Sequence, residues 1–82
     1  MLEALILINA PPKGSGQVVE ALRQLPQVRE AGAVYGDIDV YALVSVAGLE
    51  ELDRLIMEGI QAIDTVRSTK TYLVIGNLFW RR

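Results

Sequence analysis

Apolar and polar positions alternate along the chain in blocks of recognisable period. Leu2 to Asn9 is a near-continuous apolar run of strand length, broken by Ala10-Pro11-Pro12-Lys13-Gly14. Val18, Leu22 and Leu25 then recur at i, i+4, i+7, one face of a helix with Ser15 as its N-cap and Pro26 as its stop. Val28 to Tyr35 reads as a second strand, weakened at Gly32. Gly36-Asp37 is a two-residue hairpin signal, with glycine first as a type II′ turn prefers. A third strand, Asp39 to Ala47, is rich in β-branched residues and ends at Gly48. Leu49, Leu52, Ile56, Ile60 and Ile63 form a second helical stripe, in which Gly59 costs about 1 kcal/mol against alanine. Asp64-Thr65 turns the chain into a last strand, Val66 to Gly76.

The two halves repeat at a spacing of 38 residues. Leu25-Pro26-Gln27-Val28-Arg29 aligns with Ile63-Asp64-Thr65-Val66-Arg67, and Leu5, Ile6 and Ile8 align with Leu43, Val44 and Val46. Each half reads strand, helix, strand. Joined by a hairpin and wound with right-handed crossovers, they predict an α+β, ferredoxin-like βαββαβ fold. Its four-stranded antiparallel sheet carries both helices on one face.

A sheet with one wet face alternates apolar with polar residues. Here both sets are apolar. Ala4, Ile6 and Ile8 share a face with Val40, Ala42, Val44 and Val46, while Leu5, Leu7, Tyr41 and Leu43 lie on the other. Helices cover only one of these faces, so the second reads as an interaction surface.

Composition sharpens this. Of 82 residues, 51% are hydrophobic and 22% charged, which excludes a disordered chain and fits one domain spanning 1–82. The net charge of −2 leaves no basic footprint for nucleic acid. No apolar run reaches membrane-spanning length and no signal peptide is visible, so a cytoplasmic location is expected. Neither Cys nor His occurs, which removes disulfides, thiolate or imidazole metal sites and the commonest general base. No metal, cofactor or catalytic residue is therefore assigned. A core this small is marginal alone, so burial is expected to continue across a subunit interface.

The chain resembles the effector-binding domain of the Lrp/AsnC transcription regulators, the RAM domain. The resemblance rests on Ala4-Leu5-Ile6-Leu7-Ile8-Asn9, Val18-Val19-Glu20-Ala21-Leu22 and the Pro26-x-Val28 turn. It continues through Ala33-Val34-Tyr35-Gly36-Asp37-Ile38-Asp39 and Val66-Arg67-Ser68-Thr69-Lys70-Thr71, with Gly36-x-x-Asp39 matching the family's effector-site motif. With the first strand starting at Leu2, no helix-turn-helix domain is expected here, and DNA binding is not carried over. The resemblance implies a sensor of small ligands, typically amino acids, that forms dimers and larger rings through its sheet face. Full-length regulators of the family are further partners it implies.

Several residues carry candidate chemistry. Asp37 at the hairpin is explained by turn preference alone, or contacts a ligand. Asp39 borders an apolar face and needs a partner, which a ligand ammonium or an arginine would supply. Ser68, Thr69 and Thr71 either follow strand propensity or offer hydroxyls to a ligand. Tyr35 is a core ring or a pocket wall, and its place in the family motif favours the pocket. The ligand-binding set is thus Tyr35, Gly36, Asp37, Asp39, Ser68 and Thr69. Pro11-Pro12-Lys13-Gly14-Ser15-Gly16 lacks the lysine and hydroxyl of a phosphate loop and reads as a connector. The aromatic end, Leu78-Phe79-Trp80-Arg81-Arg82, is expected to pack on a neighbouring subunit. Two readings compete with a sensor: a dimeric α+β barrel enzyme of the small monooxygenase or isomerase type, and a purely structural oligomer.

Overall fold

A computed structural model describes residues 1–82. The elements are β1 (Leu2–Asn9), α1 (Ser15–Leu22), β2 (Val28–Ala33), β3 (Val40–Val46), α2 (Leu49–Arg54), a π-helical segment (Leu55–Ile60) and β4 (Ser68–Leu73). The sheet order is β2-β3-β1-β4, every neighbouring pair antiparallel. This is the ferredoxin-like α+β fold that the pattern predicts.

The covered face is the one the alternation marks. Ala4, Ile6 and Ile8 of β1 and Val40, Ala42, Val44 and Val46 of β3 are buried with Val18 and Leu22 of α1 and Leu52 of α2. Leu55 and Ile60 of the π-helical segment complete this core. The repeat is visible in it: Ala4, Ile6 and Ile8 occupy β1 as Ala42, Val44 and Val46 occupy β3. Small and β-branched side chains on the sheet let the helices settle close onto it.

Four details differ from the sequence pattern. First, Gly14 rather than Ser15 is the N-cap of α1, without a side-chain cap. A turn closed by the Gly14 N–H on the Pro11 carbonyl (2.8 Å) brings the chain into helix one residue early. Second, the β2–β3 connection is not a two-residue turn. The Val34 N–H donates to the Asp39 carbonyl (3.0 Å), leaving residues 35–38 as the loop. Gly36 has a φ of 144° there, a conformation side chains rarely adopt. Third, β4 is shorter than expected, because Val66 is held in a turn by the Ile63 carbonyl at 3.0 Å. Fourth, the second helix widens after Arg54. The Gln61 N–H reaches the Ile56 carbonyl five residues back at 2.8 Å. Leu55 and Ile60 are then a π-turn apart and both face the core, while Ile56 is only half-buried.

β2 carries a bulge. Val28 opposes Val44 but Glu30 opposes Leu43, so Arg29 is the extra residue. At α2, the Glu51 carboxylate reaches back to the Ala47 N–H (2.6 Å), satisfying a donor just ahead of the helix. Gln27 donates to the same carboxylate at 3.4 Å. These donors, with Arg54 nearby, hold Glu51 below the usual carboxylate range despite some opposing desolvation. No helix is long and apolar enough to cross a membrane.

Candidate functional site

Antiparallel pairing gathers most of the candidate residues at one end of the sheet. The ends of β1 and β2 meet the starts of β3 and β4 there. Asp39 precedes β3, and its N–H donates to the Ile8 carbonyl at 3.0 Å. Its Oδ2 accepts the Ala10 N–H at 2.9 Å, in a half-buried setting. The carboxylate therefore fastens the end of β1, and Oδ1 is left without a partner in the chain. On the opposite side of β1, Asn9 pairs with Ser68, and its Nδ2 donates to the Ser68 Oγ at 3.1 Å. Asn9 is a polar group that the sequence pattern absorbs into the β1 apolar run.

Ser68 and Thr69 do not share a surface. Pairing places Ser68 opposite Asn9 and Thr69 opposite Ile8, so the pleat turns them to different faces. Thr69 and Thr71 lie on the helix side, where the Gln61 Nε2 donates to the Thr69 Oγ1 at 3.1 Å. Tyr35, Gly36 and Asp37 occupy the hairpin loop and are all exposed. Tyr35 borders a recess of about 320 Å³ that Ser15, Ala33 and Val34 complete. Ser15 thus adjoins Tyr35 without being legible as a neighbour, since nothing in the local sequence places α1 beside the hairpin.

The uncovered sheet face is a second candidate surface. Leu5 and Leu7 of β1 lie opposite Leu43 and Tyr41 of β3, and all four are half-buried in the single chain. Tyr72 and Lys70 of β4 extend the same face across β1. Glu30 and Gly32 of β2 border it on the other side. The Tyr41 ring crosses Gly32 so closely that a Cβ there would lie 3.0 Å from the ring. The Tyr41 hydroxyl donates to Glu30 at 2.5 Å. That hydrogen bond, with desolvation and the Glu30 charge behind it, raises the Tyr41 pKa above its ordinary 10.0.

Comparison with known proteins places these surfaces in a family. The sequence model of the Lrp/AsnC ligand binding domain matches residues 3–81. An uncharacterised HTH-type transcriptional regulator of Pyrococcus abyssi is 42% identical over 77 residues, which are 94% of this chain and 49% of that protein. The chain thus spans about half the length of the curated relatives it matches. A solved Thermus thermophilus protein is 34% identical, with a TM-score of 0.88 and 100% of both chains covered. AsnC of E. coli has a TM-score of 0.91 at 26% identity, over 99% of this chain and 55% of that one. The fold, the matched span and the similarity to these regulators agree, and the chain belongs to the family of Lrp/AsnC ligand-binding domains.

Proposed function

We propose that this domain senses an amino acid and assembles through its uncovered sheet face, without chemistry of its own. The observation that carries the reading is the set of incompletely partnered polar groups at one end of the sheet. Asp37 is exposed and unpaired, Asp39 has one oxygen committed and one free, and Tyr35 stands in solvent beside a recess. A zwitterion needs acceptors for its ammonium and donors for its carboxylate. Asp37 and Asp39 supply the acceptors. The hairpin backbone at Gly36 and the Ser68 and Thr69 hydroxyls supply donors, with Tyr35 as a wall. Because Ser68 and Thr69 face opposite sides, the two hydroxyls serve one ligand only if a neighbouring chain contributes one of them. A ligand at a junction between copies meets that condition. A Neisseria meningitidis regulator solved in complex with L-Met shares this fold at a TM-score of 0.84 and 15% identity.

The same chemistry argues for a regulatory role. The relatives are transcription regulators, and the free sheet face offers a seat for a second copy or for a full-length regulator of the family. The test is calorimetric titration with the twenty amino acids, on the wild type and on Asp39→Ala. One amino acid should bind the wild type, and Asp39→Ala should weaken it by about tenfold to a hundredfold, the range for a lost charge-assisted hydrogen bond. Assembly should persist in the variant. Unchanged affinity removes Asp39 from the site. Binding by none of the twenty leaves a structural oligomer as the better reading.

A further inference from the structure

The helix layer, on the side away from the uncovered sheet face, carries a recess of about 300 Å³. Leu25, Pro26, Leu55 and Gly59 line it together with two carboxylates, Glu51 and Glu58, and one cation, Arg54. A Cβ on Gly59 would meet Leu55 and Leu25 at 3.4–3.5 Å, so the glycine keeps this floor open by one carbon. The rim is acidic for two reasons. From Leu49 to Ile60 the chain has Glu50, Glu51, Asp53 and Glu58 against the single Arg54. Arg54 is matched by Glu50 at 3.8 Å, and Glu58 has no ion pair, so the carboxylates outnumber the cation at the rim. Glu51 is held ionised by the Ala47 N–H and Gln27.

The complementary feature lies at the far edge of the sheet. After β4, the Leu78 N–H closes a turn on the Ile75 carbonyl at 3.0 Å. Phe79 then lines a recess with Met1, Leu2 and Val74 on the β4 side of the sheet. Trp80 follows and is 75% exposed. Arg81 stacks on the Phe79 ring and Arg82 on the Trp80 ring, each at 5.1 Å from the ring centroid. An indole with a guanidinium alongside is thus held out into solvent, an arrangement that is unfavourable unless something covers it.

We propose that Trp80 of one copy docks in the recess between the Leu25-Pro26 turn and the π-helical segment of a second copy. Arg81 and Arg82 then face Glu58 and Glu51. The recess is the size for one aromatic side chain, and the Leu25 and Leu55 side chains beside two carboxylates and one arginine suit an indole flanked by guanidinium groups. The segment's own recess is the less suited target, because the Ile75–Leu78 turn starts it from the end of β4, the edge strand opposite β2, which the Leu25-Pro26 turn leads into. This contact lies on the helix side, so it links copies independently of any sheet-to-sheet pairing and carries an assembly beyond a dimer.

Trp80 is the sole tryptophan of the chain, so intrinsic fluorescence reports on it alone. As protein is raised from about 1 to about 200 µM, its emission should move to the blue and acrylamide quenching should fall, by mass action. Glu58→Lys should shift that transition to roughly tenfold higher concentration, and high salt should do likewise. Arg81→Glu should have the same effect, and combining it with Glu58→Lys, which reverses both partners of one pair, should restore the transition. The transition should survive in Leu43→Glu, which separates it from the sheet face. Several results would overturn the proposal: emission and quenching independent of concentration, a transition indifferent to Glu58→Lys, or no recovery in the combined variant. A blue shift obtained only with anionic vesicles would likewise overturn it, by assigning the segment to a membrane surface.

Discussion

The two faces of the sheet have similar apolar content and different consequences. On the helix side, Ala4, Ile6, Ile8, Val40, Ala42, Val44 and Val46 are all buried within one chain. On the other side, Leu5, Leu7, Leu43 and Tyr41 are only half-buried and are joined by Lys70, Tyr72 and Glu30. The covered set is short or β-branched, with no polar tips. The uncovered set is longer and mixed with groups that keep a hold on water, as suits a surface proposed to exist both free and covered. Apolar content alone does not say which face is finished by its own chain; side-chain size and the polar tips do.

The sharpest way to break this contrast is to truncate one residue on each face. Ile6→Ala should cost about 2–5 kcal/mol in chemical denaturation, as cavities in aliphatic cores do. That cost should not vary with protein concentration. Leu7→Ala, one residue along and on the uncovered face, should show a cost that grows with concentration, because it is felt through assembly. Equal, concentration-independent costs would mean the two faces are not different in kind. Next in size, Leu43→Glu places a charge on the uncovered face. Light scattering below the concentration of the Trp80 transition should then find a folded monomer where the wild type is at least a dimer, with the circular dichroism unchanged. A wild-type monomer would remove the premise.

Smaller effects sharpen the comparison at the edges of each face. Glu51 ties α2 to the sheet, and its pKa is lowered in the fold. Its contribution is therefore fully present above the ordinary carboxylate range and disappears as the pH falls through the lowered value. Thermal melts from neutral to acidic pH should show the wild type losing its advantage over Glu51→Gln in that window. An advantage that persists at the acidic end would assign the role of Glu51 to packing. The smallest effect is spectroscopic. Tyr41, hydrogen-bonded to Glu30 on the uncovered face, should ionise at higher pH than the other tyrosines, by ultraviolet absorbance of the phenolate. Glu30→Gln should bring its titration back toward the others, and an unchanged titration would show that Glu30 is not the cause.

Much of the fold was legible because both periods of the apolar pattern are clean. The two sets of alternating positions in β1 and β3 predict the buried face residue by residue. The hairpin was not legible, because Gly36-Asp37 satisfies a tight turn locally. The Val34–Asp39 closure that lengthens it comes from pairing between β2 and β3. The π-helical segment escaped for a related reason. Leu52, Ile56 and Ile60 make a good α-helical stripe, and only packing decides that Leu55 enters the core instead of Ile56. At the candidate site, the requirement that Asp39 find a partner was readable, but Ala10 as that partner was not, because it is brought there by β1–β3 pairing. Ser68 and Thr69 are adjacent in sequence, yet the pleat separates them.

The extra residue at Arg29 has a bearing on how copies of this chain can grow. β2 is an edge strand, and a straight edge of unpaired N–H and C=O groups invites another strand to extend the sheet without limit. The irregular register between Val28 and Glu30 twists that edge and interrupts the spacing a new strand would need. Continuous sheet extension into fibrils is disfavoured at this edge.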